Sequence, residues 1–292
     1  MQSISRRLLF ALATSERFEW AVRAAPGGER VAHGLASRYV VGDTADDALA
    51  TARGLAARGI RSSIDFFGEN VTDPGEADRV ADAYVALAAR LETVASAGTN
   101  LSIDLSHIGI DEPGDGARRR LERIAAALPA GARIQVGAEQ AARTDRILAA
   151  VLAAAGAGGP VAATIQANLR RSPADAERLA EAGVPIRLVK GAYVEAPTLA
   201  HPWGDATDVA FIALAYALHR AGASISLATH DPVMREALLP ALPVAEVEML
   251  LGVRSADQAA LVARGIPVRV YVPYGDGWFR YAMRRAAESR SG

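Results

Sequence analysis

Val161-Ala162-Ala163-Thr164-Ile165-Gln166-Ala167 is a short apolar run of strand length, residues 173–182 continue with a helical period, and Ile186-Arg187-Leu188-Val189-Lys190-Gly191 is a second apolar run. Strand, helix and strand in one short stretch make the βαβ unit of a parallel sheet. The alternation runs outward from this unit in both directions. Strands are expected at 62–67, 101–106, 133–138, 161–167, 186–191, 224–229, 247–252 and 268–273, and helices at 76–97, 117–128, 139–155, 173–182, 207–221, 232–242, 255–264 and 277–288. Eight βα repeats match the size and order of a closed (β/α)8 barrel of the TIM type. A doubly wound sheet would have fewer units and a glycine loop between a strand and a helix. The glycines of Gly156-Ala157-Gly158-Gly159-Pro160 come in the opposite order, after a helix and before a strand, so they read as a helix stop. The barrel is expected over 59–292 with no linker before it. Residues 1–58 are expected to form an N-terminal helical extension, with Gly42-Asp43-Thr44 just before a helix start.

The composition points to a small-molecule ligand. Of 292 residues, 51% are hydrophobic and 22% charged, and the formal charge of -1 offers no excess that would draw nucleic acid. The chain has no cysteine, which removes disulfides, thiolate metal sites and cysteine nucleophiles together; no metal site is expected. At the N-terminus, Arg6-Arg7 precede an apolar stretch that ends at Thr14-Ser15-Glu16-Arg17, too short to span a bilayer. It reads as an amphipathic helix of a cytoplasmic protein with at most peripheral membrane contact. Of the 32 basic residues, Lys190 alone is a lysine. That singles it out as a place where a compact ammonium is needed, with chance as the competing explanation.

A TIM barrel builds its site at the C-terminal ends of the strands. The residues falling there are Asp65, Glu69, Asp104, His107, Glu139, Gln166, Asn168, Arg187, Lys190, Thr229, His230, Asp231, Glu248 and Tyr271. Arg187 and Lys190 have opposite parity on their strand, so one can point into the barrel while the other lies at the strand end. Gly191 permits close backbone approach to a ligand. At Thr229-His230-Asp231-Pro232 a strand gives way to a helix, and capping alone accounts for Asp231 and Pro232. Thr229 and His230 then offer polar contacts to a phosphate or ribose, against the plainer reading of His230 as structural. The last helix carries Arg284 four residues before Glu288, and Arg285 four after Tyr281. Paired guanidiniums there suit a carboxylate, and a solvated basic helix end is the plainer alternative.

Arg187-Leu188-Val189-Lys190-Gly191-Ala192-Tyr193, Ala228-Thr229-His230-Asp231, Met249-Leu250-Leu251-Gly252-Val253, and Arg269-Val270-Tyr271-Val272-Pro273-Tyr274-Gly275 followed by Arg284-Arg285 resemble the motif set of monofunctional bacterial proline dehydrogenases. Arg38-Tyr39-Val40-Val41-Gly42 and the segment 59–72 extend the similarity over nearly the whole chain. The resemblance implies an FAD-bound barrel in which the flavin takes hydride from the ring carbon beside the substrate nitrogen. The resulting imine can hydrolyse to a semialdehyde, and the electrons pass to a quinone or other acceptor. It further implies that Gln166, Arg187, Lys190, Gly191, Thr229, His230 and Glu288 contact or position FAD, with Glu248 near the flavin. Tyr193, Leu250 and Tyr271 would wall the pocket for an amine or amino-acid substrate, and Arg284 and Arg285 would grip its carboxylate.

Three positions depart from the family pattern. Asp104 stands where a lysine is usual, Gly137 where an acidic residue is usual, and Glu248 where a glutamine is usual. The first two bear on the substrate: an anion replaces a cation at the carboxylate, and Gly137 leaves space beside it for a larger molecule. Two alternatives to proline oxidation therefore stay open, a different amine-bearing substrate in a specialised pathway and a catalytically silent flavin-binding protein.

Overall fold

The computed structural model describes residues 20–22, 24–25, 34, 38–93, 98–243, 245–275, 277–279 and 281. Among them, eight parallel strands close in sequence order into a barrel, β1 pairing with both β2 and β8. The strands are β1 (Arg61–Phe66), β2 (Asn100–Ile103), β3 (Ile134–Val136), β4 (Val161–Gln166), β5 (Ile186–Val189), β6 (Ile225–Ala228), β7 (Glu246–Leu250) and β8 (Val268–Tyr274). The helices are α1 (Ala45–Ala56), α2 (Pro74–Arg90), α3 (Gly116–Ala126), α4 (Thr144–Gly156), α5 (Ser172–Glu181), α6 (Asp205–Arg220), α7 (Pro232–Leu238) and α8 (Ser255–Ala263).

Strand parity divides the barrel into two chemically different shells. Ile64, Leu101, Ile103, Ile134, Val136, Ile165, Ile186, Leu188, Leu227, Val247, Val270 and Val272 face outward and join the helices in one continuous apolar core. Residues of the other parity are mostly polar, with Ala162, Val189, Ala228, Leu250 and Pro273 as exceptions. Register aligns Ser102 with Gln135, Thr164 with Arg187, Arg187 with Ser226, Ser226 with Glu246, and Glu248 with Arg269. A TIM barrel interior is usually layered with branched apolar side chains. Here the layer between strands and helices carries the hydrophobic burial, and the interior is held by hydrogen bonds and ion pairs.

The caps follow from sequence. Thr44 caps α1 in a reciprocal box with Asp47, Asp73 caps α2 ahead of Pro74, and Asp231 caps α7 by accepting from the Val233 and Met234 amides. Helix α1 buries Ala48, Leu49, Ala52 and Leu55 in the main core and packs against β1 and β8. Residues 156–160 end α4 and lead into β4, as the order of their glycines predicts.

Several elements are shorter than the periodicity predicts. Helix α2 gives way after Arg90 to a tight turn at Leu91–Thr93, and residues 94–97 of the expected helix lie outside the described residues. The helix expected from 139 begins at Thr144, because Glu139 and Gln140 are occupied at the barrel mouth and Ala141–Arg143 form a single tight turn. Helix α7 stops at Leu238. Trp278, Phe279 and Tyr281 pack with Tyr39 and Val40 in a second apolar cluster, whereas most of the final helix expected over 277–288 lies outside the described residues. So does the N-terminal amphipathic helix.

Candidate active site at the C-terminal mouth of the barrel

Arg187 is the centre of the site. It points into the barrel from β5, where its Nε donates to the Thr164 hydroxyl at 3.1 Å and its Nη1 lies 3.6 Å from Glu248 Oε2. Both partners are themselves fixed. Thr164 donates to the Val136 carbonyl at 2.7 Å and accepts from Gln135, while Glu248 accepts from Ser226 Oγ at 2.5 Å. A buried guanidinium costs free energy unless paired, so this ring of bonds from β3, β4, β6 and β7 sets where the cation sits.

Across the mouth stands an acidic group. Asp65, at the end of β1, is 6% exposed and accepts from Tyr84 at 3.0 Å and from Tyr271 at 2.5 Å. Burial pushes its pKa up to about 6 against the pull of the two hydroxyls and of Arg187. Asp104, just past β2, is raised well above the ordinary carboxylate range by burial, with Asp65 and Glu139 adding like-charge repulsion. Among the described residues no donor bonds the Asp104 side chain. The tyrosine hydroxyls of Tyr84 and Tyr271 stay protonated, since burial and the Asp65 carboxylate both raise them.

Gly137 does not open the space the sequence suggests. A Cβ built on it would lie 1.8 Å from Asp104 Oδ1, so the carboxylate already fills the volume a side chain would take. The two unusual residues form one feature, a carboxylate seated on a glycine.

The remaining mouth residues are ordered by short bonds. Glu139 is buried, accepting from the Ser106 amide at 2.8 Å and from Arg143 at 2.7 Å, and its carbonyl receives Gln166 Nε2 at 2.8 Å. Arg143 also bonds Asn70 and Asp111. His107 packs between Phe66 and Tyr84, and burial lowers its pKa to about 4, so at neutral pH it is an uncharged wall. Lys190 is tied to Asp208 at 2.6 Å and Asp231 at 3.3 Å, which links β5 to α6 and to the cap of α7. Thr229 accepts from the Asp231 amide. His230 Nε2 accepts from the Leu250 amide at 2.9 Å; in the neutral ring this places the proton on Nδ1. Tyr193 and Leu250 are partly buried at the rim, and Glu69 is exposed.

Gly191 adopts φ +112°, and a Cβ there would fall 2.1 Å from Asn168 Oδ1. Only glycine accepts both constraints. Asn168 Oδ1 is buried without a hydrogen-bond partner. An unsatisfied acceptor against side-chain-free backbone, with Gln166, Thr229 and the Arg187 donors close in the fold, suits a planar, polar cofactor rich in donors and acceptors. Arg284, Arg285 and Glu288, expected to bind the substrate carboxylate and the cofactor, lie outside the described residues.

Sequence reasoning missed Tyr84, because a tyrosine on the apolar face of a helix reads as core. It also missed Thr164 and Ser226, which look like ordinary strand residues until the closed barrel brings them to Arg187 and Glu248.

The family model described as proline dehydrogenase matches residues 48–292. The chain belongs to the proline dehydrogenase family. It is 33% identical over 270 residues to the proline dehydrogenase of Deinococcus radiodurans, covering 87% of this chain and 86% of the relative. It is 31% identical over 264 residues to proline dehydrogenase 1 of Bacillus subtilis strain 168, with the same coverage of both chains. Among solved structures it resembles proline utilization A from Bdellovibrio bacteriovorus inactivated by N-propargylglycine, with a TM-score of 0.83 and 20% identity over 98% of this chain and 36% of that one. That last likeness bears on the barrel alone. Membership of the proline dehydrogenase family makes the chain a flavin-dependent oxidoreductase acting on a CH–NH group. Among the described residues no helix is long and apolar enough to cross a membrane.

Proposed function

We propose that the chain binds FAD at the C-terminal mouth and oxidises the ring C–N bond of proline or a closely related cyclic imino acid to an imine. The observation that carries this is Arg187, fixed inside the barrel by Thr164 and Glu248 and facing the Asp65–Tyr271 pair across the mouth, in a chain of this family. Bound FAD supplies the two-electron acceptor for a hydride from the carbon beside the substrate nitrogen. Gln166, Lys190, Gly191, Thr229 and His230 hold and orient it, together with Glu288. Arg187 contributes a fixed donor for negative charge developing on the cofactor, and Asp65 negative potential for the positive charge developing on the substrate nitrogen. Tyr193, Leu250 and Tyr271 exclude water, while Arg284 and Arg285 bind the carboxylate. A quinone or other acceptor then takes the electrons.

The test is anaerobic reduction of the purified holoenzyme by proline, read as bleaching of flavin absorbance. Colourless protein that takes up no added FAD overturns the assignment. Yellow protein that proline fails to bleach selects a second reading, which the carboxylate on Gly137 favours: an amine-bearing substrate with a cationic or hydroxyl group facing Asp104. Burial raises the Asp104 pKa, so its carboxyl can bond a hydroxyl as it stands, and a cationic group facing it would favour the ionised form.

A further inference from the structure

The opposite end of the barrel holds a second polar cavity, of about 180 Å³, lined by Arg61, Arg133, Gln135, Ser224, Ser226 and Glu246. Its charges are unbalanced. Glu246 receives Arg61 at 3.0 Å on one oxygen and Arg269 at 2.8 Å on the other, so both carboxylate oxygens are engaged. Arg269 also donates from Nη2 to the first of these oxygens at 3.3 Å, and its Nη1 goes to the carbonyls of Ser62 and Gly98. Arg133 comes no closer to Glu246 than 4.0 Å, outside hydrogen-bond range, and its Nε is buried without a partner. Three guanidiniums thus share one carboxylate, leaving a surplus of two positive charges at a cavity with room for a small ion. Glu248, the next carboxylate up the barrel, is already engaged by Arg187 and Ser226.

We propose that this N-terminal mouth binds a small divalent oxyanion of the sulfate or phosphate type, held by Arg133 and Arg61. A divalent anion neutralises the surplus and satisfies the donors Arg133 leaves unpaired; guanidinium forks match tetrahedral oxyanions in geometry as well as charge. The lowered pKa of Arg133, caused by burial and then by the neighbouring Arg269, is the strain such a ligand relieves. Nothing in the flavin chemistry uses this end, so the site is independent of the function proposed above.

The experiment is calorimetric titration of the flavin-loaded protein with sulfate and with phosphate, against acetate at matched ionic strength. The expected result is one saturable site that prefers either divalent ion over acetate by tenfold or more. Arg133→Gln should weaken it on the order of ten- to a hundredfold, the range for loss of a charge-assisted bond. Should Arg133→Gln fail to fold, two rim variants serve. Arg61→Gln, at a half-exposed side chain, should weaken binding, and Ser224→Glu should abolish it by supplying the anion from within. Absence of saturable binding, equal affinity for acetate, or unchanged affinity in all the variants that fold overturns the proposal; the last result places the ion at the other mouth.

Discussion

Replacing Gly137 by alanine should destabilise the protein, and it should do so only while Asp104 is present. The new Cβ would lie 1.8 Å from Asp104 Oδ1 and 3.1 Å from its Cγ, whereas the nearest backbone atom, the Ile103 carbonyl oxygen, is 3.6 Å away. Gly137 is not among the glycines with positive φ, so alanine costs nothing in backbone conformation. The whole penalty therefore comes from pushing one carboxylate out of its seat, and overpacking of this kind costs about 1–3 kcal/mol. In an Asp104→Ala background the clash disappears, and Gly137→Ala becomes neutral or stabilising by up to about 1 kcal/mol through the unfolded chain. The double-mutant cycle should then give a coupling of about 1–4 kcal/mol. Denaturant unfolding of the four proteins measures it, provided the m-value stays constant. If Gly137→Ala costs the same in both backgrounds, the carboxylate does not occupy that space and the account of this wall of the pocket fails.

Three further outcomes are expected. Asp65→Asn removes a carboxyl whose pKa is raised from 3.8 to about 6, so the folded chain binds that proton more tightly than the unfolded one; the wild type is favoured below about pH 4 and loses about 3 kcal/mol relative to the variant as pH rises through 6. Urea melts at pH 5 and pH 8 should show about half of that change, and a pH-independent difference would refute it. Arg187→Met should slow flavin reduction by about a hundredfold or more, the scale for loss of a fixed donor to developing negative charge, with smaller loss of stability; stopped-flow reduction at the wild-type rate would remove Arg187 from the chemistry. Arg284→Ala and Arg285→Ala should each raise the proline concentration needed for half-maximal reduction roughly ten- to a hundredfold, and unchanged concentration dependence in both would place the substrate carboxylate elsewhere.

Local patterns carry the fold because each part of it is decided locally. The eight strands follow from apolar runs at regular spacing, and Thr44 and Asp231 mark helix starts because a short polar side chain there satisfies free amides. The helix near 139 starts later than its periodicity predicts for a non-local reason: Glu139 accepts from the Ser106 amide, a bond that only barrel closure creates. The site divides in the same way. Arg187, Asp65 and Tyr271 could be read from their positions at strand ends, but their partners Thr164 and Tyr84 could not. Nor could sequence reveal that Asp104 fills the space over Gly137, since that depends on the register of β2 against β3 and on one side-chain rotamer.

The polar interior explains how one chain supports charges at both ends of its barrel. An enclosed cation is tolerated when its partners are fixed, and the closed sheet fixes them by register: Thr164 beside Arg187, Ser226 beside Glu246, Glu248 beside Arg269. Because the apolar burial lies between strands and helices, these interior residues are free of the duty of filling a hydrophobic core. At the lower end three guanidiniums surround one carboxylate: Arg269 and Arg61 hydrogen-bond Glu246, and Arg133 is left outside hydrogen-bond range of it. At the upper end the pairing is left open: Asp65 and Asp104 feel the Arg187 charge, yet neither forms an ion pair with it. A barrel whose interior was apolar would be easier to stabilise, yet it would have no fixed guanidinium at its mouth, because Arg187 is held there only by the polar partners that register brings to it.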